Sequence, residues 1–397
     1  MSDPWADFCH ASDASEVAGF FERAGTADGR PASYAWFSRA DHVVTVTPRT
    51  RFDEVTRASD RFLRIGGRRG VLGYLGFDAV GLLEPALRRF PSGSPFPLGE
   101  FAFASEVNAG PSSPPAVRPL RQMPTPGRAR ESLPRPRYSE SVRRLRRDIR
   151  DGEAYQVVLA NRRTWPRPSD LLRRSGRLRA TERFAFFYYL RFGDREIVGA
   201  SPESVVEVDG SRAVVNPIAG TLPSGRAGRG RMPLANDPKE LAEHRMLVDL
   251  ARNDLGRIAV PGTVRLLRRE ERVSYARVEH LVSRVGARLR RNLGPWDVLA
   301  ATFPAGTVSG APKIRATELL RREEATWRGP YAGAVGLVRP GGRADWALAI
   351  RSAFAARDRL YTAAGAGIVY RSRPTQEYLE TRAKLAHVEG TLLGVSR

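Results

Sequence analysis

The sequence predicts an α+β protein whose strands are mostly antiparallel and are flanked by helices. Short turn signals at Gly193–Asp194 and Asp209–Gly210 separate apolar, β-branched segments, which is the pattern of antiparallel hairpins. Residues 51–65 (RFDEVTRASDRFLRI) have the 3.6-residue period of an amphipathic helix. At 397 residues the chain is long enough for two or three units, or for one large intertwined α/β unit.

Composition points to a soluble globular protein. Hydrophobic residues make up 42% of the chain and aromatic residues 9%, and no run of eighteen apolar residues occurs. The start of the chain lacks the charged and apolar regions of a signal peptide, so we expect a cytoplasmic protein with no membrane partner. The single Cys9 excludes an internal disulfide framework and a cysteine-based metal cluster.

The net charge of +22 raises the question of nucleic-acid binding. Most of this charge is arginine scattered along the chain. The densest group, Arg143, Arg144, Arg146 and Arg147, lies on the polar side of a predicted helix without interleaved aromatic residues. We therefore expect no nucleic-acid partner, although a positive field would attract an anionic substrate.

The front of the chain, residues 1–108, has mixed strand and helix character. Residues 36–48 (WFSRADHVVTVTP) predict a strand, 51–65 predict the helix already noted, and 70–85 (GVLGYLGFDAVGLLEP) predict a buried strand. Residues 109–137 are rich in Pro, Ser and Arg and predict a surface loop or linker. The remaining part, 138–397, carries the motifs and is expected to be the catalytic region.

Elements of this catalytic region can be assigned in order. We predict a helix at 138–151, a buried strand at 152–165, a helix at 171–179, three strands within 184–223, a long helix at 238–255, a helix at 278–290 and a charged helix near the C-terminus. The glycine- and alanine-rich stretches between 303 and 368 would let backbone approach a ligand closely.

Two of these helices carry acidic faces. Glu240 and Glu243 are three residues apart, and Leu247 continues the same side of the long helix. In the C-terminal helix, Glu377, Glu380 and Lys384 share one face. Carboxylates at the edge of a core suit a hard cation such as Mg²⁺, which would hold an anionic small molecule. The alternative from spacing alone is that these faces are solvated or that each acidic pair bonds to nearby arginines.

The motifs then identify a resemblance. From about residue 152 to 393 the chain resembles the chorismate-utilising enzymes, which include anthranilate synthase component I, aminodeoxychorismate synthase component I and the isochorismate and salicylate synthases. The motifs that carry it are YQVVLA, VGASPES, NPIAGTLP, KELAEHRMLVDLARNDLGR, VEHLVS, FPAGTVSGAPKIRA, RGPYAGAVG, AIRSA, GAGIV and EYLETRAK. The resemblance implies a large α/β sandwich of mostly antiparallel sheets, with the two acidic faces meeting around Mg²⁺.

The resemblance also assigns roles to single positions. Glu243 and Glu380 correspond to the direct Mg²⁺ ligands, and Glu240 and Glu377 to supporting carboxylates. Glu203 falls where the family has its general acid, a carboxyl that must stay protonated near neutral pH. The alternative is that the Glu203 carboxylate only caps the turn after Pro202.

Substrate contacts follow from the same comparison. Arg351 and Tyr331 fall where the family grips the enolpyruvyl carboxylate of chorismate, and a guanidinium can bind a carboxylate through two donors. The remaining assignments are Gly365, Ala366, Gly367 and Lys384 for the ring carboxylate, and Thr307 and His280 as active-site positions. A lone histidine such as His280 is more often structural.

Two positions indicate the nucleophile. Relatives that add water have lysine where this chain has Gln156, and a neutral amide cannot deprotonate water. Aminodeoxychorismate synthases typically have lysine where this chain has Ala219. The sequence therefore favours attack of ammonia at ring carbon 2, giving 2-amino-2-deoxyisochorismate and then anthranilate and pyruvate. Aminodeoxychorismate synthase component I remains the alternative, and isochorismate synthase is the less favoured one.

The chain has no sequence signal of a glutaminase, because Cys9 stands alone. We therefore expect ammonia to come from a separate glutamine amidotransferase subunit or from free ammonium.

Overall fold

The computed structural model shows an α/β sandwich built on two large antiparallel sheets. It describes residues 3–25, 30–112, 127–181, 184–223, 236–275, 278–324 and 326–395. The strands of these ranges are β1 (Val17–Arg23), β2 (Ser33–Phe37), β3 (His42–Val46), β4 (Gly70–Leu75), β5 (Gly99–Ala104), β6 (Asn108–Pro111), β7 (Arg130–Glu131), β8 (Gln156–Pro166), β9 (Phe186–Phe192), β10 (Arg195–Ser201), β11 (Ser204–Asp209), β12 (Arg212–Val215), β13 (Ile218–Pro223), β14 (Arg265–Tyr275), β15 (Val278–Arg288), β16 (Gly310–Ala311), β17 (Ala334–Arg339), β18 (Arg343–Leu348), β19 (Ser352–Ala356) and β20 (Arg359–Ile368). The sandwich predicted from the resemblance is confirmed.

The strand order mixes early and late parts of the chain. One sheet runs β16–β8–β20–β19–β10–β9–β1–β2–β6, with β7 beside β8. The other runs β13–β15–β12–β11–β18–β17–β4–β5–β3, with β14 beside β15. The strands before residue 112 therefore complete both sheets, and they pair with the catalytic region through β1–β9 and β4–β17.

Helices cover the outer faces of the sheets. In chain order they are α1 (Pro4–Ser12), α2 (Phe52–Leu63), α3 (Val80–Leu83), α4 (Arg135–Arg150), α5 (Leu171–Thr181), α6 (Pro238–Gly256), α7 (Pro295–Thr302), α8 (Gly306–Ser309), α9 (Lys313–Glu324) and α10 (Pro374–Leu393), with short 3₁₀ turns at Phe77–Ala79 and Pro85–Leu87. Within the described ranges, none of these helices has both the length and the apolar character needed to cross a membrane.

The sequence of strand β9 is apolar at successive positions because both of its faces are buried. Successive side chains of a strand point to opposite faces. Tyr188 and Leu190 belong to the large core between the sheets, whereas Phe187 and Tyr189 belong to a second core against α1, α5 and α10. The two sheets meet face to face, as in the ring contact between Phe192 and Tyr74 of β4, whose centroids lie 6.1 Å apart.

The hairpin predictions are confirmed, but several element predictions differ from the structure. Gly193 and Gly210 occupy the β9–β10 and β11–β12 turns with φ of 57° and 58°, a conformation that favours glycine. Residues 184–223 form five strands where we predicted three, and 36–48 are divided between β2 and β3. The strand predicted over 70–85 ends at Leu75 and is followed by short helical turns.

The predicted helix at 278–290 is wrong, because this segment is strand β15. Its buried side chains recur at every second residue, at Leu281, Ser283, Val285 and Ala287. Such alternation is the pattern of a strand with one buried face, and it outweighs the helix propensity of the alanine and arginine residues. His280 consequently lies on a strand and not on a helix.

Residues 113–126 of the loop predicted over 109–137 lie outside the described residues. Its described ends are ordered: Asn108–Pro111 pairs with β2, and Arg130–Glu131 pairs with β8. The boundaries 1–108, 109–137 and 138–397 stay predictions.

Candidate active site

The predicted site residues gather at one end of the sandwich, where β8 and β20 lie beside α6 and α10. Strands β8 and β20 are antiparallel neighbours, with Gly365 opposite Ala160 and Gly367 opposite Val158. Gly365, Ala366 and Gly367 of β20 (the glycine strip) have no side chain larger than a methyl group, so neighbouring side chains pack directly against the backbone. A Cβ at Gly365 would lie 2.9 Å from Val158 Cγ1 and 3.2 Å from Tyr331 Oη.

The side chain of Gln156 points into this cluster. Its Nε2 donates a hydrogen bond of 2.8 Å to Oε1 of Glu243 on α6. The same amide lies over β20, since a Cβ built on Gly367 would be only 2.5 Å from Nε2. Gln156 is 6% exposed and thus connects the acidic face of α6 to the glycine strip.

We expect Gly367→Ala to lower chorismate turnover by about 10- to 100-fold, because the new methyl group would push the Gln156 amide away from Glu243. Steady-state kinetics with ammonium measures this effect. Gly390→Ala on α10 is the matched control, since the nearest atom to its Cβ would be 3.4 Å away. Equal losses in the two variants would contradict the proposed role of the Gln156 contact.

The C-terminal helix α10 contacts the glycine strip through Lys384. Lys384 Nζ donates to the carbonyl oxygen of Gly365 at 2.8 Å and pairs with Glu380 Oε1 at 2.7 Å. Arg351, which has a φ of 52°, donates from Nη1 to the carbonyl oxygen of Lys384 at 2.8 Å. Tyr331 is buried beside them, and burial raises its pKa to about 12, so the phenol is protonated at neutral pH.

The structure therefore brings together most of the residues predicted to bind substrate. The members joined by the contacts above are Tyr331, Arg351, Gly365 and Lys384, and Ala366 and Gly367 follow on the same strand. A guanidinium, an ammonium and a phenol at one place suit an anionic ligand with more than one carboxylate.

Glu203 lies in the short connection between β10 and β11. Its backbone is fixed by Ser201, whose hydroxyl accepts from Glu203 N and donates to Glu203 O, and by the Leu348 N–H. Thr307 of α8 donates to Glu203 Oε1 at 2.7 Å. Burial raises the pKa of Glu203 to about 7, although the Thr307 bond and the charge of Lys384 act in the opposite direction. A carboxyl with this pKa can carry a proton near neutral pH.

The carboxylates on α6 and α10 are oxygen ligands of the type that Mg²⁺ prefers. Glu243 accepts from Gln156 and Glu380 pairs with Lys384, and each offers carboxylate oxygens. Mg²⁺ is commonly held by one or two carboxylates completed by substrate oxygens and water. In the described ranges, no three or more His, Cys, Asp or Glu side chains are grouped so that they could hold a metal ion. A site with two carboxylates needs no such group, and the Mg²⁺ assignment stays a prediction.

Four other predicted positions can be located. Glu240 is in the first turn of α6, where its N–H donates to Asp237 Oδ1 at 3.4 Å, and Glu377 is in the first turn of α10. His280 pairs with Val273 of β14 through the backbone and is half-buried. Ala219 of β13 pairs with Leu281 of β15, and the side chain of Ala219 falls outside the described part of the chain.

Sequence reasoning missed two buried ion pairs beside these residues. Asp254 on α6 pairs with Lys313 at 2.8 Å. Arg328 pairs with Glu324 and also donates to the carbonyl oxygens of Val158 and Val308, at 2.7 and 2.8 Å, so it ties β8 to α8. The signal for Asp254 was present, since it continues the face of Glu243 and Leu247 along α6. Nothing in the local pattern marks Arg328 among so many arginines.

Comparison with known proteins gives consistent matches. The sequence profile of the chorismate binding enzymes matches residues 15–389. Anthranilate synthase component 1 of Saccharolobus solfataricus is 38% identical over 342 residues, which cover 82% of this chain and 81% of that protein. Anthranilate synthase component 1 of Methanothermobacter thermautotrophicus is 44% identical over 254 residues, which cover 63% of this chain and 55% of that protein.

Solved structures agree on the fold. The anthranilate synthase component I from Streptococcus pneumoniae matches with a TM-score of 0.75 and 29% identity, covering 94% of this chain and 90% of that chain. The menaquinone-specific isochorismate synthase from Escherichia coli matches with a TM-score of 0.77 and 19% identity, covering 99% and 92%. The second match supports the fold alone.

Proposed function

This chain belongs to the chorismate-binding enzymes, as its motifs predicted, and on that premise we propose that it aminates chorismate at ring carbon 2 with ammonia. The observation that carries the proposal is the bond from the Gln156 amide to Glu243, beside the glycine strip. The relatives named anthranilate synthase component 1 support the same reaction.

In this proposal the substrate binds to Arg351, Tyr331, Lys384 and the glycine strip. Arg351 and Tyr331 contact the enolpyruvyl carboxylate of chorismate, while Lys384 and the backbone of Gly365–Gly367 contact the ring carboxylate. Glu243 and Glu380 would hold Mg²⁺, with Glu240 and Glu377 behind them. When bound, Mg²⁺ neutralises charge on the ring carboxylate and helps fix its position.

Glu203 acts as the general acid. Ammonia forms a bond to ring carbon 2, the two ring double bonds shift to carbons 1–6 and 4–5, and the bond from carbon 4 to its hydroxyl breaks. The new ammonium group then loses a proton to solvent. Glu203 gives its proton to the departing oxygen, so that water leaves and 2-amino-2-deoxyisochorismate remains. Thr307 holds the carboxyl in place through its 2.7 Å hydrogen bond. Loss of pyruvate from this product would give anthranilate.

The choice of ammonia over water rests on Gln156. A water molecule needs a base to become a nucleophile near neutral pH, and a lysine of lowered pKa can be that base. Gln156 is a neutral amide whose N–H group is engaged with Glu243. Ammonia already has a lone pair and needs no such base.

We further propose that ammonia comes from a separate glutamine amidotransferase subunit or from free ammonium. The relatives are named as component 1, which implies a second component for those proteins. The cytoplasmic location expected from the sequence stays a prediction.

The purified chain is expected to consume chorismate with Mg²⁺ and an ammonium salt, and to fail with glutamine in place of ammonium. The measurement is chorismate loss and product formation by liquid chromatography. EDTA should stop the reaction and added Mg²⁺ should restore it. Turnover of chorismate without any nitrogen source, or with glutamine alone, would contradict the proposal.

A further inference from the structure

A small cavity lies behind Glu203, between α6 and the connection from α7 to α8. It offers about 30 Å³ to a water-sized molecule, and roughly 10–15 Å³ is needed for one water molecule. Its polar lining includes Glu203, Thr302, Thr307 and Asp254, and its apolar lining includes Leu247 and Leu250. Several polar side chains in the lining make this a place for bound water.

One residue of this lining, Asp254, belongs to an ion pair. Asp254 Oδ2 accepts from Lys313 Nζ at 2.8 Å, and Lys313 also donates to the carbonyl oxygen of Thr302 at 3.3 Å. Both side chains keep 13% exposure, so the pair borders solvent as well as the cavity. Asp254 and Glu203 thus line the same water-sized space, and the Asp254–Lys313 pair reaches solvent.

We propose that Asp254, held by Lys313, returns a proton to Glu203 through water in this cavity after each turnover. The inference rests on the proposed function, in which Glu203 loses its proton to the departing hydroxyl. Asp254 and Lys313 do not touch the substrate and are therefore positioning residues for the acid.

The proton transfer balances without another reactant. Asp254 takes a proton from solvent and gives it to the cavity water. That water gives a different proton to the Glu203 carboxylate, which is then ready for the next chorismate. Asp254 and the water return to their starting states.

Each group of the relay has identifiable charged or polar neighbours. Asp254 faces Lys313 and Arg257; Lys313 faces Asp254, Arg257 and Glu84; Glu203 faces Thr307 and Lys384. Burial raises the pKa of Asp254, with Lys313 and Arg257 opposing the shift, which eases its protonation.

The double variant Asp254→Asn/Lys313→Met tests the relay without leaving one charge unpaired. We expect kcat with ammonium to fall about tenfold or more while the chorismate KM changes less than about twofold. Because proton delivery would become rate-limiting, the ratio of kcat in H₂O to kcat in D₂O should rise above that of the unsubstituted chain. The loss of kcat should become larger as pH increases, because fewer protons are then available in solvent to reprotonate Glu203.

Two further variants keep the test decisive. Ala251→Val fills the cavity from α6 and leaves the ion pair, so it should also raise the solvent isotope effect. Glu22→Gln/Arg179→Met removes a buried ion pair far from the cavity and should leave kcat and the isotope effect unchanged.

The relay is overturned if the Asp254/Lys313 variant keeps its kcat, or if kcat falls with no change in the solvent isotope effect. A parallel rise in the chorismate KM would indicate a structural role instead and would also overturn it. If the unsubstituted chain fails to turn over chorismate with ammonium, the proposed function fails, and the relay with it. If that chain is active and all variants behave alike, only the relay fails.

Discussion

Glu203→Gln is expected to lower kcat for chorismate amination by about 10²- to 10⁴-fold, because an amide cannot give a proton to the departing hydroxyl. The shape of the side chain and its contact with Thr307 can be kept, so chorismate should still bind. Steady-state kinetics gives the loss in kcat, and the chorismate KM reports binding.

The pH dependence supplies an independent check. The pKa of Glu203 is raised to about 7, and the acid form is the active one. With the concentration of free ammonia held constant across the pH series, the rate of the unsubstituted chain should therefore be constant below this pKa and fall as pH rises through it. Glu203→Gln should lose this decline, because no proton is left to titrate.

Glu207→Gln is the matched control for Glu203→Gln. Glu207 lies four residues further along the chain in β11, and burial also raises its pKa. It accepts hydrogen bonds from Arg30 and Asn216. A comparable loss of kcat in Glu207→Gln would show that the effect of Glu203→Gln arises from the fold and not from acid catalysis.

Gln156→Lys is expected to lower the rate with ammonium by about 100-fold and to produce some hydroxylated product. The new ammonium group would form an ion pair with Glu243, in place of the neutral 2.8 Å hydrogen bond. In its neutral form the lysine could act as a base toward water. Mass spectrometry of the products separates the amino product from the hydroxyl product.

Gln156→Met is the control for the lysine substitution. It has a similar length, cannot bond to Glu243 and offers no base. It should lose amination activity without any gain of hydroxylated product. Full amination activity in Gln156→Lys would contradict the role given to this amide.

Much of the site could be predicted because its residues lie in recognisable motifs. Gln156, Glu203 and Arg351 each stand in such a motif, and the structure places the first beside Glu243 and the last beside Lys384. The two acidic helices were also found correctly, since their period is clear over many residues.

The errors arose where tertiary contacts decide the local structure. Strand β15 has arginines and alanine that suit a helix, but its backbone pairs with β12, β13 and β14, and alternate side chains are buried on one face of the sheet. Asp254 and Lys313 are 59 positions apart, and only the fold joins them. Residues 1–108 were predicted to be the N-terminal part of the sandwich, but the sequence does not show which strands of each sheet they pair with.

The most direct test of the account follows a nitrogen label. The purified chain is incubated with chorismate, Mg²⁺ and ¹⁵N-ammonium, and the products are identified by NMR and mass spectrometry. We predict that ¹⁵N is bonded to carbon 2 of the ring, in 2-amino-2-deoxyisochorismate or in anthranilate. A label on carbon 4, as in 4-amino-4-deoxychorismate, or an unlabelled hydroxylated product would contradict it.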